Sequence, residues 1–262
     1  MAREKARYWD EVAEEWRVAP PQVLWRRHSD AVNLALLRRW LPADRVQYLL
    51  KTDAFDEGIG GGLYPLLAAQ AECIIEMDIA VPILCMARKR YPELQVIGAD
   101  ARCLPFAADS LAIIVSLSTL DHYHSQQEIA TSLREFHRVL RPTGQLWLTL
   151  DNPVNPLVGL RNALPFRWLN RLGIVPYYVG ATYGPRGLRR VLQEVGFDVR
   201  ETGAVMHCPR VVAVAITRLL ERHTRQKTQR RFLHFLLAFE RLSYWSTRFL
   251  TGHFVAVRAV KR

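Results

Sequence analysis

Between Tyr48 and Leu150 the chain alternates short apolar runs with helical patterns, and this alternation narrows its fold more than any other feature. The runs Tyr48–Phe55, Cys73–Met77, Gln95–Gly98, Leu111–Leu117 and Leu146–Leu150 have strand length, and Leu63–Ala71, Ile79–Arg90 and Gln126–Leu140 carry helical spacing between them. Strand, crossover helix and next strand form a right-handed unit, so the pattern predicts a parallel sheet covered on both faces. Upstream, Arg3–Trp40 reads as helices: Tyr8, Val12 and Trp16 recur at helical spacing, and Ser29 is an expected N-cap before Val32, Leu36, Leu37 and Trp40. Pro42 stops that pattern. After Asp151 the texture turns Pro-rich and aromatic up to Tyr183, followed by a helix Gly187–Val195, a strand Phe197–Val205, a basic stretch and a last strand His253–Val260.

The first strand runs through Phe55-Asp56 into Glu57-Gly58-Ile59-Gly60-Gly61-Gly62, an Asp-x-Gly-x-Gly-x-Gly arrangement at an expected strand-to-helix turn. Glycines there let backbone approach a ligand at the carboxyl edge of the sheet, although a tight turn alone also asks for glycine. Asp78 follows the second strand, placed to accept hydrogen bonds from two vicinal ribose hydroxyls. A pyrophosphate fingerprint starting at Gly58 would need a small residue where Leu63 stands, and no Gly-Lys-Ser/Thr follows for a phosphate loop. The loop therefore fits a nucleoside without a diphosphate, and S-adenosylmethionine is such a ligand. At the end of the third strand Asp100 can accept from an adenine amine while Ala101 offers its backbone N–H to the ring.

Together these residues resemble the class I S-adenosylmethionine-dependent methyltransferases, more narrowly the small-molecule enzymes called type 11. The resemblance covers roughly Tyr48–Leu150: the Asp56–Gly62 loop, Asp78, the Gly-Ala-Asp-Ala-x-x-Leu-Pro-Phe stretch from Gly98, and Leu133–Gly144 before the fifth strand. Two departures stand out: Lys51, Thr52 and Asp53 lie where the family is usually apolar, and Thr143 replaces a glycine. The resemblance implies an α/β, Rossmann-like seven-stranded sheet, mostly parallel with an antiparallel C-terminal strand, helices on both faces, and helical caps at both ends. It divides the chain into an N-terminal cap at residues 1–45 and a cofactor domain at 46–262, with a lid insertion at about 152–183 and a basic helical insertion at about 207–250. It further implies that Asp56, Gly58, Gly60 and Gly62 line the methionine and ribose portion, that Asp78 with Ile79 holds the ribose, that Asp100 and Ala101 frame the adenine, and that Ser118 borders the site of methyl transfer.

Methyl transfer from a sulfonium is an in-line displacement, so alignment can supply most of the acceleration and no particular nucleophile is demanded. The Asn/Asp-Pro-Pro-aromatic signature of many amino-group methyltransferases is absent after the fourth strand, where Ser118-Thr119-Leu120-Asp121-His122-Tyr123-His124 stands. His122 or His124 is a candidate general base toward a hydroxyl, which favours O-methylation. Asp121, Asp151 and Asn152 resemble the magnesium ligands of catechol O-methyltransferases, but Asp121 falls too far beyond the strand end, so no metal is expected. Tyr123, Tyr177, Tyr178 and Tyr183 are expected to border a hydrophobic or lipid-linked small-molecule acceptor, with ordinary core packing as the alternative.

Of the net charge of +11, Val211 to Arg262 carries +9. That stretch holds two amphipathic patterns, Val211–Arg225 and a stripe of Phe232, Phe235, Leu236, Phe239, Leu242, Trp245 and Phe249. They can pack on their own domain or lie on an anionic membrane. With half the residues hydrophobic the chain is not disordered, and four scattered cysteines form no zinc spacing, which fits a cytoplasmic protein. No nucleic-acid-binding module is visible, so an RNA or protein methyltransferase ranks below a small-molecule enzyme; a non-catalytic cofactor-binding or membrane-associated protein is the other alternative.

Overall fold

The computed structural model describes residues 2–18, 22–173 and 175–262; the helical expectation across residues 19–21 lies outside them. In chain order it contains α1 (Ala2–Val18), α2 (Val23–Trp40), β1 (Val46–Lys51), the short α3 (Phe55–Ile59) and α4 (Tyr64–Ala68), β2 (Ala71–Asp78), α5 (Val81–Arg90), β3 (Gln95–Gly98), β4 (Leu111–Leu117), α6 (Gln126–Val139) and β5 (Leu140–Asp151). Then follow α7 (Pro156–Ala163), α8 (Phe166–Arg171), α9 (Pro185–Val195), β6 (Phe197–Val205), α10 (Arg210–His223), α11 (Gln226–Ala238), α12 (Arg248–Thr251) and β7 (Phe254–Lys261). The strands form one seven-stranded sheet in the order β3-β2-β1-β4-β5-β7-β6, parallel except for β7, which runs antiparallel to β5 and β6. This is the expected α/β, Rossmann-like architecture.

The sheet buries both faces because its central strands are apolar on both. In β4, Ile113, Val115 and Leu117 join the core beneath α2 and α5, while Leu111 and Ile114 join the core beneath α6 and α9. Helix α6 starts where Ser125 caps it, its hydroxyl accepting the Glu128 N–H at 3.3 Å, while the Glu128 carboxylate accepts the His124 N–H at 2.9 Å. Gly196 ends α9 in the left-handed conformation, φ 115°. Helix α2 packs against α10 and α11, so the two helical insertions meet on one face of the sheet.

Three local expectations need correction. Ser29 lies inside α2 and caps nothing, because the helix already starts at Val23. The first strand ends at Lys51, and Phe55–Ile59 coils into a helix. The aromatic stripe from Phe232 to Phe249 is broken into α11, a 3₁₀ turn at Phe239–Tyr244 and α12, burying Leu236 but leaving Phe235 and Trp245 exposed. One departure from the family pattern keeps its backbone: Thr143 holds φ 64°, a conformation that costs a β-branched residue about 1–2 kcal/mol and that glycine adopts freely.

Candidate functional site

Strand order reverses between β1 and β4, and in open α/β sheets the crevice at such a switch point is where ligands bind. A cavity of about 910 Å³ opens there and continues under α7, α8 and α10. Polar side chains bridge the two strand ends: Thr52 donates to Ser116 Oγ at 2.9 Å, and Thr119 donates to Asp53 Oδ2 at 3.2 Å. Ser118 at the cavity wall holds φ 53°, which its Oγ donation to Asp121 (3.0 Å) and its N–H donation to Thr149 help to fix. A non-glycine residue in that conformation is strain stored at the site.

One end of the cavity is lined by the carboxylates of Asp53, Asp56, Asp78 and Asp100. Three carry a cation: Asp53 meets Lys51, Asp56 meets Arg26 at 2.9 Å, and Asp100 meets Arg102. Asp78 instead accepts the N–H of Ala54 (3.1 Å) and of Ala80 (2.9 Å). Burial pushes its pKa up to about 6, with the two N–H bonds opposing. Each of its oxygens keeps acceptor capacity. Ile79, Ala80 and Ala101 complete this end, and Tyr123 lies beside Asp100 with the Arg102 guanidinium 5.1 Å from its ring.

The glycine loop does not line the cavity; Thr52, Asp53, Phe55 and Asp56 form that wall instead. The cause is Lys51, fully buried, whose ammonium donates to the Asp53 carbonyl (2.7 Å) and to Glu57 Oε2 (2.8 Å). The other Glu57 oxygen accepts the N–H groups of Leu63 (2.6 Å) and Tyr64 (3.1 Å). Burial lowers the Lys51 pKa, but Asp53, Glu57 and Glu76 outweigh it and hold the ammonium above its ordinary value. Burial pushes Glu76 up to about 9, with Lys51 opposing. Gly58, inside α3, packs against Ile83 and Met86; Gly60 lies beside Arg26 and Asp30; Gly62, φ +63°, passes where a Cβ would stand 2.5 Å from Glu57 Oε1. These glycines pack around the buried ion pair, behind the residues that line the cavity.

The other end of the cavity is apolar above and charged below. Leu157, Leu160, Leu164, Leu169, Leu172 and Val175 come from the lid, and Val211, Val214 and Ala215 from α10. At the base, Asp151 pairs with Arg161 and lies 3.3 Å from His253 Nε2. Arg161 and His253 hold Asp151 below the usual carboxylate range despite its burial. Asp121 accepts from Ser118 Oγ and the Asp151 N–H (3.1 Å), and burial next to Asp151 pushes it up to about 6.

His122 lies in the cavity between the Trp9 ring (4.8 Å between centroids) and Tyr177 (5.4 Å). Its Nδ1 sits 2.9 Å from the Tyr178 carbonyl oxygen, which selects the Nδ1–H tautomer and leaves the Nε2 lone pair open, 3.8 Å from Asp121 Oδ1. His124 is outside, stacked on Tyr178 at 4.7 Å. The Tyr178 ring lines a neighbouring pocket with His124, and its backbone N–H donates to the Tyr8 hydroxyl at 2.8 Å. Tyr183 donates to the Gln126 carbonyl. Of the expected acceptor tyrosines Tyr123 and Tyr177 line the cavity, together with Val179, while Gly180 and Ala181 bond to the carbonyls of Asp121 and Tyr123. Asn152 does not offer itself as a ligand either; its amide donates to the carbonyls of Phe249 and Gly252 and its oxygen accepts the Val154 N–H. Among the described residues no acidic, histidine and cysteine cluster could hold a metal ion.

Sequence reasoning missed Trp9, Arg26, Arg161 and Arg210, all of which line the cavity. Trp9, Arg26 and Arg210 lie far in sequence from the motifs, on α1, α2 and α10, and Arg161 comes from α7 to pair with Asp151.

A family model described as a methyltransferase domain matches residues 55–148. A probable S-adenosylmethionine-dependent methyltransferase of Mycobacterium tuberculosis is 30% identical over 115 residues, covering 40% of this chain and 41% of that protein. A demethylmenaquinone methyltransferase of Chlorobaculum parvum is 30% identical over 95 residues, covering 34% of this chain and 38% of that protein. The chain thus matches about two fifths of the length of these relatives. The solved S-adenosylmethionine-dependent methyltransferase of Mesorhizobium loti superimposes with a TM-score of 0.60 at 17% identity, covering 89% of this chain and 100% of that one, a likeness of fold. Domain match, relatives and sheet topology agree that the chain carries a domain of the class I S-adenosylmethionine-dependent methyltransferases.

Proposed function

We propose that the protein transfers a methyl group from S-adenosylmethionine to an oxygen of a small hydrophobic or lipid-linked acceptor. The observation that carries this reading is one cavity with two chemically different ends, a carboxylate-lined end at the strand tips and an apolar end under the lid. The donor set of the first end fits the cofactor. Asp78, without a cationic partner among the described residues, has acceptor capacity for two ribose hydroxyls, and Ile79 supplies an apolar edge beside it. Asp100 and Ala101 flank the adenine position, Ser118 faces the sulfonium, and Asp53 and Asp56 supply negative potential for a cationic ligand. The bound cofactor supplies an electrophilic methyl group for in-line displacement.

The chain's own part is to exclude water, align the acceptor and take its proton. Trp9, His122 and Tyr177 form a continuous aromatic wall between the two ends. His122 Nε2, left bare by the Tyr178 carbonyl, accepts the acceptor's hydroxyl proton, and the imidazolium that forms faces Asp121.

The rim supports delivery of the acceptor from an anionic bilayer. Leu157, Leu160, Leu172 and Val211 line the cavity and are each more than half exposed, with the arginines 167, 171 and 218 exposed beside them. Among the described residues no helix is long and apolar enough to cross a membrane. The test is incubation of the purified protein with methyl-labelled S-adenosylmethionine and, separately, a total lipid extract, a bulk RNA fraction and a peptide pool. Label in the lipid fraction, lost in His122→Ala, is expected; label only in RNA or peptide would overturn the acceptor class.

A further inference from the structure

One cation at the acceptor end makes no direct ion pair among the described residues; Asp151 and Asp121 favour its charge only at longer range. Arg210 opens α10 and points its guanidinium into the cavity, Nη1 3.1 Å from His253 Nε2 and Nη2 3.5 Å from the Tyr177 hydroxyl. The rings of Trp25 and Phe254 stand 6.0 Å from its Cζ. Among the described residues no carboxylate comes within ion-pair distance of it. Asp151 pairs with Arg161 through Oδ2, and its Oδ1 lies 3.3 Å from His253 Nε2, the same nitrogen that Arg210 Nη1 approaches. Asp121 bonds to Ser118 and to the Asp151 N–H. The His253 imidazole, whose pKa burial lowers, carries no negative charge to offset the guanidinium.

A guanidinium has five N–H donors, and here the Tyr177 hydroxyl accepts one while the His253 ring nitrogen stands beside another. Such a charge in apolar surroundings is costly unless an anion meets it, and its planar fork matches a carboxylate or a phosphate. We propose that Arg210 anchors an anionic group, carboxylate or phosphate, carried by the acceptor, whose apolar part lies along Leu160, Leu169 and Val214. This rests on the reading of that lobe as the acceptor site. Tyr177 ties the anchor to the reaction: its hydroxyl accepts from Arg210 and its ring packs against His122. The substrate class is then an acidic amphiphile rather than a neutral lipid.

The test uses calorimetry of the full chain saturated with S-adenosylhomocysteine, titrated below their micelle concentrations with dodecanol, dodecanoate and dodecyl phosphate. Both anions are expected to bind at least about 10-fold tighter than the alcohol, and the order between them tells carboxylate from phosphate. Arg210→Gln removes that preference and leaves dodecanol within about twofold, whereas Arg222→Gln, outside the cavity, retains it. Equal binding of the three probes by the wild type, no binding of any, or a preference that survives Arg210→Gln overturns the proposal. If Arg210→Gln does not fold, Arg210→Lys decides: loss of the fork is expected to shrink the preference at least about threefold, and an unchanged preference overturns the anchor. Repeating the titrations without S-adenosylhomocysteine separates this outcome from the methyltransferase reading, which fails instead if that ligand itself does not bind.

Discussion

The two ends of the cavity are built with opposite charge logic. At the strand tips, four carboxylates border the space and most of the cations present serve to hold them. Under the lid, leucines border the space, and at its base Arg161 pairs directly with Asp151 while Arg210 makes no direct ion pair among the described residues. The first end suits a cationic nucleoside and the second an apolar molecule with a negative head. The scaffolds differ as well. The carboxylate end rests on a buried ion pair within the sheet, whereas the apolar end rests on helices whose leucines face solvent.

The largest effect is expected where the carboxylate end is anchored. Lys51→Met leaves Glu57 buried without its cation, which should cost about 3–5 kcal/mol of stability, read as a shift of the urea midpoint; a change under about 1 kcal/mol would show that the pair does not hold this end together. At the other end, Leu160→Asp combined with Leu172→Asp should lower sedimentation with phosphatidylglycerol vesicles by at least about 10-fold while leaving the melting temperature unchanged. Equal loss on neutral phosphatidylcholine would remove the electrostatic part of that contrast. A smaller effect belongs to pH. Asp78 has a folded pKa raised to about 6 by burial, so its carboxylate is present above that value and lost as pH falls through it. Affinity for S-adenosylhomocysteine should therefore fall by up to about tenfold between pH 7 and pH 5. Because the raised pKa also means that ionising Asp78 disfavours the empty fold, stability should decline as pH rises from about 4 through 6. The smallest effects are expected outside the cavity: Gly58→Ala and Tyr183→Phe should change that affinity by less than about twofold. A large loss in a folded Gly58→Ala would return the glycine loop to the ligand wall.

The carboxylate end was the legible one. Asp78 and Asp100 stand at strand ends, a position that follows from hydrophobic periodicity, and the seven-stranded, mostly parallel sheet with its antiparallel last strand followed from the resemblance. The local course of the glycine loop was not legible: Lys51, an odd residue in an apolar strand, bonds Glu57 in the interior, and Phe55–Ile59 forms a short helix. The apolar end was legible only as a long aromatic insertion. The tyrosine-bearing segment is tied by the backbone bonds of Gly180 and Ala181 to the loop after β4, a pairing about 60 residues apart in sequence that no local pattern records. Arg210 and Trp9 reach the cavity through the packing of α1, α2 and α10, so their role had no sequence signal beyond charge and aromaticity.

The most direct measurement is calorimetric titration of the wild type and Asp78→Asn with S-adenosylhomocysteine, with NADH as a control and the melting temperature of both proteins recorded. One equivalent of S-adenosylhomocysteine should bind to the wild type, about 10–100-fold more weakly to the folded variant, while NADH binds neither. Absence of binding to the wild type, or equal affinity in the two proteins, would contradict the assignment of the strand-tip carboxylates to the nucleoside.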